Sequence, residues 1–215
     1  PRPPGSALVR SSAASDVVKR QLLLIVKIAK ELGVDPIIGV RSKMTVKGRG
    51  KWEGSGGDRA KFGLTISEII QSARYLESEG LGHCLKLLHF HIGSQLTDIR
   101  AVKEAITEGA RIYADLHKMG FALEYVDVGG GLGIDYDGSK STNDSSRNYT
   151  MGEYVADVVY GMKELCDLEE VPHPNLVSES GRAITEHPNC WIPEIVGENP
   201  AKKGQNEHGA EKAPW

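Results

Sequence analysis

Four times in succession the chain passes from apolar residues at helical spacing into a short apolar or β-branched run, and this alternation constrains the fold more than any other feature. Val17, Val18, Leu22, Ile25, Val26 and Ala29 recur at helical spacing up to Leu32, Gly33 supplies a stop, and Pro36 to Val40 reads as a buried strand. Thr65 and Glu68 have the spacing of a capping box ahead of Ile66, Ile69, Ile70, Ala73 and Leu76, a helix that ends at Gly80 and leads into a strand over Cys84 to His91. Asp98 opens a third helix, with Val102, Ala105, Ile106, Ala110, Ile112, Tyr113 and Leu116 facing inward, and Phe121 to Val128 is the next strand. Thr150 and Glu153 form a second capping box before Val155, Val158, Val159, Met162 and Leu165, after which Asn175 to Arg182 is a short strand ending in polar residues. Connections of this length permit crossovers, so a parallel sheet is expected.

Two excursions interrupt the alternation. Residues 47–59 form a glycine-rich, basic loop, and residues 135–148 are acidic, serine-rich and turn-forming. The ends lack periodicity: residues 1–15 read as a loose leader, 16–197 as one domain with a further strand at Trp191 to Val196, and 198–215 as a disordered tail.

Composition narrows the function. A net charge of -3 gives no electrostatic case for nucleic acid or an anionic membrane surface. No apolar run approaches the roughly 20 residues that cross a bilayer. The 3 cysteines are far apart and lack Cys-X-X-Cys spacing, which argues against a zinc site and a disulfide framework and for a reducing, cytoplasmic setting. Small-molecule chemistry is the remaining class.

In parallel α/β folds ligands gather at the carboxyl ends of the strands. The first strand ends in Arg41 and Lys43, the second in His89-Phe90-His91-Ile92-Gly93-Ser94, the third in Asp127-Val128-Gly129-Gly130-Gly131-Leu132-Gly133, and the fourth in Glu179-Ser180-Gly181-Arg182. Three successive glycines let the backbone turn sharply and bring N–H groups to a ligand. With a hydroxyl and an arginine they make a phosphate cradle, but phosphate alone would not need a glutamate close by. A dinucleotide fingerprint fails, because Ile134 stands where the third glycine belongs. His89 and His91, two apart on a strand, share a face and would suit a metal-dependent barrel hydrolase, although no further His-rich strand end follows.

The runs Lys61-Phe62-Gly63-Leu64, Leu87 to Gln95, Asp127 to Tyr136 and Ser178 to Arg182 resemble, in order, those of the fold-type III pyridoxal-phosphate decarboxylases, the alanine-racemase-like barrels acting on ornithine, diaminopimelate and arginine. The similarity is closest to the biosynthetic arginine branch and spans about Asp35 to Gly197. It implies the later strands of a TIM-type (β/α)8 barrel, pyridoxal 5'-phosphate as cofactor, L-arginine as substrate, decarboxylation to agmatine in polyamine biosynthesis, and a homo-oligomer in the full-length family. Magnesium use is also implied, with no site identified.

By that resemblance Glu179 would hold the proton on the cofactor's ring nitrogen. Arg182, Ser94 and the N–H groups of Gly129, Gly130, Gly131 and Gly181 would hold its phosphate. His91 would lie against the ring, and Arg41 would line the pocket. The family's substrate-contacting segment corresponds to Gly130, Gly131, Leu132, Gly133, Asp135 and Tyr136, with Asp135 the candidate partner of a guanidinium. Nothing here resembles the segment carrying the family's cofactor-bonding lysine, nor its C-terminal β domain. The sequence is therefore expected to be a partial barrel, inactive alone, with a second reading as a non-catalytic cofactor- or phosphate-binding piece or a partner of a full-length relative.

Overall fold

The computed structural model describes residues 20–46 and 62–185. The expected leader, tail and strand at Trp191 to Val196, and the loop at 47–59, lie outside these residues. Helix α1 covers 20–32 and is followed by β1 (Ile38–Ser42), α2 (Ile66–Ser78), β2 (Leu85–Phe90), α3 (Ile99–Lys118), β3 (Tyr125–Asp127), α4 (Met151–Leu168), β4 (Asn175–Val177) and α5 (Gly181–Thr185). The strands form one sheet in the order β1-β2-β3-β4, and every adjacent pair is parallel. A strand joined to its parallel neighbour through a helix, repeated along the chain, is the construction of an α/β barrel, here in part.

The helices begin where local chemistry directs. In α2 the Thr65 hydroxyl accepts the Glu68 N–H while Glu68 accepts the Thr65 N–H at 2.9 Å. Thr150 and Glu153 repeat this at α4, and the Asp98 carboxylate caps α3 through the Arg100 N–H. Each pairing satisfies donors that a helix start would otherwise leave open.

Packing follows the expected stripe most closely in α3, where all seven predicted inward residues are buried. Gly109 lies over the Phe90 ring, where a side chain would collide, so α3 sits close on β2. Leu88 and Val126, each 0% exposed, fill the helix-covered face of the sheet, and burying side chains of this kind contributes roughly 1.5–3 kcal/mol apiece. Elsewhere the expected faces need correction. In α4 the buried stripe is Tyr154, Val158, Met162 and Cys166, whereas Val155 and Val159 are exposed. Ile66 and Ile25 are exposed as well. Helical periodicity marks which residues are apolar, but a helix with one packed neighbour buries a single stripe.

The third strand is shorter than expected. Phe121 and Leu123 are buried, yet they belong to the connection after α3, where the Leu123 carbonyl accepts the Tyr113 hydroxyl at 3.4 Å. The polar end of the fourth run is a correction of another kind: Gly181 and Arg182 start the short helix α5 instead of prolonging β4.

Candidate functional site

Strand alternation sends Arg41, His89 and Asp127 to the sheet face opposite the helices, and the register sets them side by side: Arg41 opposite His89, His89 opposite Asp127, and Asp127 opposite Val177. The segments that follow β2, β3 and β4 surround a cavity of about 230 Å³ lined by His91, Ser94, Gly130, Gly131, Leu132, Glu179, Ser180, Arg182 and Ala183, and Arg41 on β1 is outside that lining. Seven of the sequence-predicted residues thus meet at one cavity: His91, Ser94, Gly130, Gly131, Leu132, Glu179 and Arg182.

The glycine loop is shaped by its protein neighbours. Gly129, at φ +70°, lies so near β2 that a Cβ there would stand 2.6 Å from the Phe90 carbonyl oxygen and 2.9 Å from His91 Nδ1. A Cβ on Gly130 would overlap the Glu179 carbonyl oxygen, and one on Gly131, at φ +88°, would overlap that of Gly93. The Gly129 N–H donates to Asp127 Oδ1 at 2.9 Å, the Gly130 N–H to His91 Nδ1 at 3.4 Å, and the Glu179 N–H to the Gly129 carbonyl at 2.9 Å. The turn therefore ties β2, β3 and β4 together at the cavity wall.

His91 is half-buried, and its pKa is lowered by burial first, then by the positive fields of Arg41 and His89, with Glu179 and Asp127 opposing. A neutral ring with Nδ1 unprotonated is the form that accepts the Gly130 N–H. Arg41 stacks its guanidinium 5.4 Å from the Phe62 ring centroid. Glu179 and Arg182 are exposed at the cavity rim.

The remaining predicted residues lie apart. Gly181 is exposed at the start of α5 with open space around it. The Gly133 N–H donates to the Tyr149 hydroxyl at 3.0 Å. Asp135 accepts the Ser146 hydroxyl at 2.6 Å and borders a separate cavity with Arg147 and Glu153, while Tyr136 is exposed. Sequence reading missed Gln95, whose side-chain amide donates to the Ile134 carbonyl at 2.7 Å and accepts the Ile134 N–H at 3.0 Å, fastening the glycine loop to the His91–Ser94 segment. It also missed the anchoring part of Asp127, for which Asp followed two residues later by glycine is a turn signal.

His89 Nδ1 lies 2.9 Å from Asp127 Oδ2, at ion-pair distance but without hydrogen-bond alignment. Among the described residues, two groups of possible ligand atoms fall within 4.8 Å of one another, Asp35-His83-Cys84 and His89-Asp127-Glu179. His91 is in neither, so the alternative pairing of His89 with His91 does not form such a group. No helix among the described residues is long and apolar enough to cross a membrane.

Residues 16–186 match the family model for the pyridoxal-binding domain of pyridoxal-dependent decarboxylases. A biosynthetic arginine decarboxylase of Bacteroides thetaiotaomicron is 51% identical over 177 residues, which are 82% of this chain and 28% of that protein. That of Deinococcus radiodurans is 55% identical over 172 residues, 80% of this chain and 26% of its own length. Among solved structures, the biosynthetic arginine decarboxylase of Campylobacter jejuni superposes with a TM-score of 0.65 at 34% identity, covering 76% of this chain and 26% of that one. Diaminopimelate decarboxylase of Helicobacter pylori, complexed with L-lysine, gives a TM-score of 0.64 at 25% identity, covering 77% and 38%. The chain belongs to the pyridoxal-dependent decarboxylase family, whose pyridoxal-binding domain it matches over most of its length.

Proposed function

We propose that this chain is the pyridoxal-phosphate-binding part of an arginine decarboxylase, an enzyme that releases carbon dioxide from L-arginine and leaves agmatine. The observation that carries this reading is the convergence of an imidazole, a hydroxyl, a glycine backbone, a carboxylate and a guanidinium on one cavity, a donor set suited to a phosphorylated pyridine. When bound, pyridoxal phosphate supplies the electron sink for the pair left at the α-carbon as the bond to the carboxyl group breaks.

The residues divide the work by chemistry. Glu179 holds a proton on the cofactor's ring nitrogen, and His91, kept neutral, lies against the ring. Arg182 and Ser94 bind the phosphate, with Gly181 beside them at the start of α5. The Gly129 N–H is committed to Asp127 and the Gly130 N–H reaches His91, so the loop's own phosphate contact falls to Gly131. Arg41 lines the cofactor face from β1, and the segment from Gly130 to Tyr136 contacts the substrate. We further infer a cytoplasmic setting, supported by the unpaired Cys84 and Cys166, and a homo-oligomeric full-length enzyme.

The test is titration of the chain with pyridoxal 5'-phosphate, followed by absorbance and fluorescence. Saturable binding is expected, weakened about tenfold or more by Arg182→Ala and spectrally altered by Glu179→Gln. Cofactor spectra and affinity indifferent to both substitutions would overturn the reading.

A further inference from the structure

Asp127 ends β3 with a carboxylate that is largely buried. Oδ1 accepts the Gly129 N–H, and Oδ2 faces His89 Nδ1 from the neighbouring strand. An aspartate bonded to the N–H two residues on closes an Asx turn, which sets the positive φ of Gly129. Two lines of contact leave that turn. The Gly129 carbonyl receives the Glu179 N–H at 2.9 Å, and the following N–H, that of Gly130, reaches His91 Nδ1.

We propose that Asp127 is a positioning residue that sets the placement of Glu179 and His91 together by holding the turn from which both hang, with His89 blocking the second carboxylate oxygen. The proposal rests on the pyridoxal-phosphate reading for the roles of Glu179 and His91. The geometry itself does not depend on it. A shift of Gly129 away from Asp127 would carry its carbonyl from Glu179 and the next amide from His91, so one side chain governs two walls of the cavity. The steric limits agree: the Phe90 carbonyl and His91 leave no space for a side chain at position 129, so the turn has no alternative packing to fall back on.

The experiment combines amide hydrogen exchange with cofactor titration on the whole chain. In Asp127→Ala the amides of Gly129 and Glu179 are expected to lose protection by about tenfold or more while Ala110 and Tyr113 in α3 keep theirs, and the pyridoxal 5'-phosphate dissociation constant rises by a similar factor. Asp127→Asn keeps an acceptor for the Gly129 N–H and is expected to restore most of both. Unchanged protection at Glu179 in Asp127→Ala, or no recovery in Asp127→Asn, would overturn the proposal. If Asp127→Ala does not fold, Asp127→Glu decides: its longer side chain displaces the acceptor of the Gly129 N–H, and amide exchange unchanged at both Gly129 and Glu179 also overturns the proposal. Failure of the wild-type chain to bind the cofactor would instead reject the proposed function, with the exchange data still deciding the role of Asp127 in the turn.

Discussion

The backbone of Gly131 passes so close to the carbonyl oxygen of Gly93 that a methyl group on Gly131 would overlap it. The contact joins the segments that follow β2 and β3, and it continues in the Leu96 N–H, which donates to the Gly131 carbonyl at 2.8 Å. Gly131→Ala meets this overlap and also a φ of +88° that L side chains avoid. It is expected to destabilise the chain by about 3 kcal/mol or more, read as a lowered denaturant midpoint. Gly152→Ala, in the first turn of α4 with no atom nearer than 3.9 Å to the added carbon, is expected to raise stability by about 0.5–1 kcal/mol.

Gln95 is a non-glycine residue at φ +55°, and its buried amide satisfies both backbone groups of Ile134. Removing it strands a buried donor and a buried acceptor together. Gln95→Ala is therefore expected to cost roughly 2–4 kcal/mol and to increase exchange of the Ile134 amide selectively, measured by denaturation and by amide exchange.

Asp98 supplies the pH-dependent term with the clearest sign. Its side chain is 1% exposed, and the Arg100 side chain, with help from the Arg100 backbone N–H and Asn148, lowers its pKa from 3.8 to about 2. Because the folded value lies below the unfolded one, this stabilisation is fully present above pH ~4 and is lost as pH falls through ~2. The contribution is on the order of 2 kcal/mol. Denaturation curves of the parent chain and Asp98→Asn, collected from about pH 6 down to about pH 2, are expected to converge toward the acid end, and parallel curves would contradict the assignment.

His91 titrates in the opposite chemical sense, from neutral to charged on acidification. Its pKa is lowered by burial and by Arg41 and His89, so the neutral ring is favoured by folding, and that stability is present above the ordinary value of 6.5 and lost as pH falls below it. Protonation of Nδ1 removes the acceptor for the Gly130 N–H. A ring titration by NMR is expected to show a midpoint below 6.5, with the Gly130 amide shift following the same curve.

Much of the architecture could be read from local chemistry. The capping boxes at Thr65 and Thr150 and the inward face of α3 depend on residues three or four apart, which the sequence displays directly. The exposure of Val155 and Val159 could not be read this way, because it depends on which side of α4 meets α3. Nor could the length of β3, since Phe121 and Leu123 have the apolar pattern of a strand but are buried in a connection. At the site, the predicted cavity residues came from three short runs, whereas the separation of Asp135 from them follows from its bond to Ser146 within the loop.

The order of helices and strands, the helix starts and the groups carried beyond the strands are legible in the amino-acid sequence, because each follows from periodicity or from neighbours along the chain. It takes the folded chain to bring Gly129, Gly130 and Gly131 against Phe90, Glu179 and Gly93, and Asp127 beside His89. Those relations come from strand register and backbone contact between segments far apart in sequence, which local pattern does not encode.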